Sequence, residues 1–183
     1  QMSSDLKTNG GHIEVEGLKG NHTIATSGGH LNLAHIKGPV EAKTSGGHID
    51  LSNIEGDIYA KTSGGHISAE TITGKLDAKT SGGHINLTDI SGSVQASTSG
   101  GSITADLKTI DQFVDLKTSG GSIDISIPEN IGVDLQLKGT SVHGKLNNFS
   151  GEMEKTKING QLNGGGSKIT ARTSGGTVRL SYN

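Results

Sequence analysis

Thr44 to Lys61 reads TSGGHIDLSNIEGDIYAK. Gly47-His48-Ile49-Asp50-Leu51 and, nine residues later, Gly56-Asp57-Ile58-Tyr59-Ala60 share one order: glycine, polar, apolar, polar, apolar. Alternation with period two marks a strand with one buried face. The stretch predicts two short strands joined by two turns. Its opening block, Thr-x-Gly-Gly-x-apolar, recurs at Thr8, Thr26, Thr44, Thr62, Thr80, Thr98 and Thr118, and again at Thr173. The spacing is 18 residues up to Thr98, then 20, then 55. A fixed period of this length points to a solenoid, whose units bury an apolar face only on their neighbours.

Stacked at that period, apolar residues fall into columns. One is Ile13, Leu31, Ile49, Ile67, Ile85, Ile103, Ile123; another is Val40, Ile58, Leu76, Val94, Val114. A few such columns fill a thin core, which suits a chain with 30 glycines and only 30% hydrophobic residues. An antiparallel stack of hairpins would share the period. A coil that returns to its start is favoured, because it sets like residues one above another at about 4.8 Å. The Ser-Gly-Gly turn is expected to use the positive φ that glycine allows, with Gly38, Gly56, Gly74 and Gly92 marking the opposite turn. Ala105 to Lys117 has no glycine and places Leu107, Ile110 and Val114 at helical spacing. With the two extra residues of its unit, it reads as a bulged coil in preference to a helix.

After Ser126 the rhythm changes. Ile127-Pro128-Glu129-Asn130 closes a strand, and Val133, Leu135 and Leu137 resume alternation. Residues 147–166 are polar, with turn signals at Asn159-Gly160 and Asn163-Gly164. Ile169, Ala171 and the block from Thr173 to Leu180 restore one coil. The chain is therefore expected to be all-β: a single-stranded parallel β-helix, or β-solenoid, with two short strands per coil of about 18 residues. It forms one domain, residues 1–183, with regular coils over 1–126 and irregular coils with a C-terminal cap over 127–183.

Composition excludes several classes. Cysteine is absent, which removes disulfides, thiolate metal sites and a Cys nucleophile. Aromatics are 2% of the chain and the net charge is -2, so nucleic acid is not the expected partner. No Gly-x-Ser-x-Gly elbow or phosphate-cradling Gly-x-x-x-x-Gly-Lys-Ser/Thr loop occurs. Ser, His and Asp recur in every unit without one set standing out, so no catalytic residues and no enzyme activity are expected.

The repeated Thr-Ser-Gly-Gly-x-Ile coils resemble a bacterial β-solenoid family named as adhesins, a domain of unknown function. The late strand at Ile127-Pro128, the stretch Gly164-Gly165-Gly166 and the closing coil from Ser174 to Leu180 are similar to that family's pattern. The resemblance covers essentially the whole chain. It implies a noncatalytic, extracytoplasmic, adhesin-like binding or structural module at the cell surface or in the periplasm. Its partner would be a cell-surface glycan or protein, with the membrane reached only through an anchor outside this chain. Gln1-Met2 reads as the start of a trimmed product. The family supplies neither a cofactor nor catalytic residues.

Two columns carry candidate chemistry. His12, His30, His48, His66 and His84 alternate with inward apolar residues and should face outward. Neutral imidazoles in a row offer ligands to Zn²⁺, Cu²⁺ or Ni²⁺, and acid would charge the row and make it repel itself. A metal-binding or pH-responsive surface is thus an alternative function. The competing interpretation is a tolerated surface residue copied by duplication, because Ser102 and Ser122 replace His in later units. Lys43, Lys61 and Lys79 form a second outward column, with Lys7 and Lys117, that could attract an anionic surface or be a solvated face. A self-assembling scaffold is the second alternative.

Overall fold

The computed structural model describes residues 3–183; Gln1 and Met2, read above as a trimmed start, lie outside the described residues. The first coils hold β1 (Ser3–Thr8), β2 (Ile13–Glu16), β3 (Asn21–Thr26), β4 (Leu31–Lys37), β5 (Val40–Lys43), β6 (Ile49–Glu55), β7 (Ile58–Lys61), β8 (Ile67–Thr73) and β9 (Leu76–Lys79). Then come β10 (Ile85–Ser97), β11 (Ile103–Thr118) and β12 (Ile123–Ile127). The end of the chain holds β13 (Val133–Lys138), β14 (Ser141–Gly144), β15 (Phe149–Glu154), β16 (Lys157–Leu162), β17 (Ser167–Thr173) and β18 (Thr177–Tyr182).

Every pairing through the regular coils is parallel, and in the 18-residue coils it joins residues 18 apart, such as Ile49 with Ile67 and Ala60 with Ala78. The chain is a parallel β-solenoid, and the hairpin stack is excluded. Each coil carries two strands on two faces, and the predicted columns are its core: Leu31, Ile49, Ile67, Ile85, Ile103 and Ile123 are all fully buried. The glycine-free segment lies within β11, a strand that rounds the corner. Its two extra residues bulge out between Ile110 and Val114, opposite Gly92 and Val94.

The turns correct one expectation. Gly38, Gly56, Gly74 and Gly92 do have positive φ, from +127° to +152°. The Gly-Gly pairs do not. Their second glycine is required for space: a Cβ at Gly65 would overlap the carbonyl oxygen of Gly47 one coil away, and Gly47 stands in the same relation to Gly29. The left-handed bend falls elsewhere, on His35, Asn53, Thr71 and Asp89, with φ between +52° and +56°. Each precedes a buried isoleucine and turns the long strand at its corner.

The buried threonines clasp neighbouring coils. Thr62 Oγ1 donates to Gly47 O at 2.9 Å and accepts from Gly65 N at 3.3 Å. Thr44, Thr80, Thr98 and Thr118 repeat both bonds. A hydroxyl that is both donor and acceptor suits a site with one orphan carbonyl and one orphan amide.

The end of the solenoid departs from sequence order. β17 lies between β11 and β13, parallel to both, so Ile169 sits between Val114 and Leu135. β18 likewise lies between β12 and β14. The chain leaves β12, skips one level to lay down β13 and β14, and later returns to fill the gap. Between these steps β15 and β16 form an antiparallel hairpin on the outer edge of β13.

Adjacent glycines should respond differently to a methyl group. Gly65→Ala is expected to destabilise the protein by about 3 kcal/mol or more. Gly64→Ala, where no atom lies closer than 3.8 Å to the new Cβ, should stay within about 0.5 kcal/mol. Urea unfolding midpoints of the two variants check this contrast.

Candidate functional site

The turn before each long strand is open, so its amides need partners from other coils. Residues 62–67 show where they go. Thr62 N donates to Lys79 O, Ser63 N and Gly64 N to Ser45 O, and Ile67 N to His84 O, all within 2.9 to 3.1 Å. Gly65 N uses the Thr62 hydroxyl. The remaining amide, His66 N, donates to Nδ1 of His48 at 2.8 Å.

That bond recurs along the column. His30 N donates to His12 Nδ1, His48 N to His30 Nδ1, His84 N to His66 Nδ1 and Ser102 N to His84 Nδ1, at 2.8 to 2.9 Å. The rings stack almost parallel, with centroids 4.7, 4.7, 4.9 and 5.2 Å apart. Where serine replaces histidine the role persists: Ser122 N donates to Ser102 Oγ at 3.1 Å. The imidazoles face outward, as the alternation predicts, and each accepts the main-chain amide of the next coil.

This geometry fixes the chemistry of the rings. A neutral imidazole that accepts at Nδ1 carries its proton on Nε2. The outer edge of the column is therefore a row of N–H donors. A metal ion binding at Nε2 would have to displace that proton or the main-chain bond. Among the described residues, no group of three or more His, Asp or Glu side chains converges on a common point. A ring protonated at both nitrogens has no lone pair left for the amide.

The second column lies on the outer side of the short strands. Lys43, Lys61 and Lys79 stand on the adjacent strands β5, β7 and β9 in direct register. Lys43 pairs with Glu41, and Lys79 with Asp77 at 2.8 Å. Hydrogen bonds to these carboxylates hold both ammonium groups above the ordinary lysine range, against the opposing effect of burial. The Tyr59 ring lies between them, 5.4 Å from each Nζ. Lys61 has no acidic partner among the described residues. Exposed pairs of this kind contribute about 0–1 kcal/mol each.

A shallow trough of about 810 Å³ runs along this face, lined by Asp5, Glu41, Lys43, Tyr59 and Asp77 among others. His22 also reaches it, and the sequence reading passed over this residue. His22 is 3% exposed, and neither ring nitrogen has a partner among the described residues. The signal was available: His22 is in register with Val40, at the head of an apolar column.

Fold and surface together define a repeat protein of the parallel β-solenoid class whose outward side chains form ladders. The chain belongs to the family described as Toastrack DUF4097, which matches residues 56–181. That is a family of unknown function, and the match does not carry the adhesin name. Residues 3–55 lie outside it and continue the same parallel register. No curated relative and no solved structure matches the chain.

The acceptor role of the ladder separates two substitutions. His66→Ala leaves His84 N without its acceptor and should cost about 0.5–1.5 kcal/mol. His66→Ser, which copies Ser102, should cost less. Thermal melts of both variants, with hydrogen exchange at the His84 amide, read the difference.

Proposed function

We propose that this protein is a noncatalytic, extracytoplasmic rod that engages other surfaces through repeated side chains, in the manner of an adhesin. The supporting observation is the pitch. Each coil sets the same outward positions one strand spacing from the last, as the imidazole stack at 4.7 to 5.2 Å demonstrates. Weak contacts repeated on a stiff frame add through effective concentration, so a ladder binds where one copy would not. The lysine ladder at Lys43, Lys61 and Lys79 and the imidazole Nε2 row are the two faces available for this. Protease added to intact native cells tests the setting. Cleavage of the chain is the expected result; complete protection, with the protein in the cytosolic fraction, overturns the proposal.

A second reading is favoured by the Nδ1 bonds: the imidazole ladder makes the rod acid-sensitive. Protonating a ring removes an acceptor from the folded state and places like charges one coil apart. Glu14 and Asp50 stand two residues beyond His12 and His48, while Asn32, Ser68 and Asn86 occupy that position beside the other three rings. The expected outcome is a larger drop in melting temperature on acidification for the native chain than for His48→Ser/His66→Ser. Equal drops would remove this reading.

A further inference from the structure

The interleaved end of the solenoid gathers four cations that are far apart in sequence. Lys117 on β11 lies opposite Arg172 on β17, Arg172 opposite Lys138 on β13, and Lys138 opposite Lys157 on β16. Adjacent strands are about 4.8 Å apart, so the four positions form one line across the outer face. The outer two are neutralised, Lys117 by Asp115 at 2.6 Å and Lys157 by Glu152 at 3.3 Å. Arg172 and Lys138, in the middle, have no carboxylate partner among the described residues. The neighbouring row supplies Asp5, Glu41, Asp77 and Asp115 to the lysines of the regular coils. Here it turns neutral, with Thr170, Gln136 and Asn159 in register.

Two depressions flank the line. One, about 450 Å³, includes Lys117, Thr140 and Ser174 in its lining. The other, about 640 Å³, includes Gln136, Lys157 and Asn159. Lys138 and Arg172 are the residues that line both. Like charges at opposed strand positions repel one another. The net charge of -2 gives the chain no general reason to concentrate cations. Bound anions would offset the repulsion at the two residues that lack a counter-charge.

We infer that this row binds an acidic glycan, a linear polysaccharide bearing carboxylate or sulfate groups. A straight row of cations matches charges recurring along a polymer better than a single small ion. The Arg172 guanidinium offers the planar fork that oxyanions accept from two sides at once. Ser174, Thr140, Gln136 and Asn159 add groups that both donate and accept, as sugar hydroxyls require. No aromatic ring lies among these residues to stack a base. The site goes beyond the surface-binding proposal, because it names residues and a ligand class and is tested on purified protein wherever the protein resides.

Biolayer interferometry of the full chain against heparin, polygalacturonate, neutral dextran and duplex DNA tests it. At low ionic strength the native protein should bind at least one acidic polysaccharide, and not dextran. Heparin alone would assign sulfate, polygalacturonate alone carboxylate, and both the shared oxyanion. Lys138→Gln/Arg172→Gln keeps much of each exposed stem, relieves the repulsion and so should not lower the melting temperature, and should weaken binding about tenfold. Lys37→Gln/Lys108→Gln, exposed lysines of the regular coils that pair with Glu55 and Asp89, should change it less than about twofold. For native protein, raising the salt to about 0.5 M should weaken the complex. No binding of either acidic polymer, equal losses in the two double variants, or DNA bound as tightly as the glycans overturns the inference.

Discussion

The structure depends on how closely two coils approach at the Thr-x-Gly-Gly turn. The second glycine lies against the carbonyl of its counterpart in the preceding coil, where any side chain would collide. That carbonyl is the one the buried threonine hydroxyl bonds. One group therefore sets the spacing of the turns and also anchors a clasp between them. The other consequences follow from that contact. Amides in an open turn become reachable by the neighbouring coil, the side chain after the glycines is brought over its predecessor, and identical residues stack. The glycine content reflects this packing more than backbone flexibility.

Much of the fold was legible because the repeat is simple. Period two within a unit and period 18 between units place nearly every buried residue, from Leu31 to Ile125, before any coordinates are known. Less accessible features depend on contacts between coils. Gly47 and Gly65 look like turn residues in sequence, and only stacking shows that volume, and not φ, selects them. The left-handed corner is occupied by His35, Asn53, Thr71 and Asp89, four different residues that leave no common signal. Asn and Asp adopt this conformation readily. Thr71, which is β-branched, does so under strain that the surrounding strand must overcome.

The histidine column was legible as a position but not as a role. Alternation places it outside, which invites a reading based on ligands. The amides of the next coil give it internal work: His12 to His84 act as acceptors, and Ser102 continues the series with a hydroxyl. The substitution of Ser for His now has a physical meaning. Imidazole and hydroxyl share an acceptor at a similar reach, which a metal-binding explanation would not require.

The cap was the least legible part, since spatial order there is not chain order. Nothing in residues 127–183 announces that β17 and β18 will lie beneath strands that precede them in sequence. Their alternation fits any level of the stack. What selects the level is pairing on both edges: Ile169 and Ala171 meet Val114 and Leu116 on one side and Leu135 and Leu137 on the other. A strand held on both edges satisfies twice the backbone groups of one added at the end. β13 keeps its other edge for the antiparallel hairpin, whose outer strand is almost entirely exposed and carries Glu152 and Glu154. Charge on an outermost strand discourages further pairing. The interleaving therefore closes the stack, and it sets Arg172 beside Lys138 as a consequence of that closure.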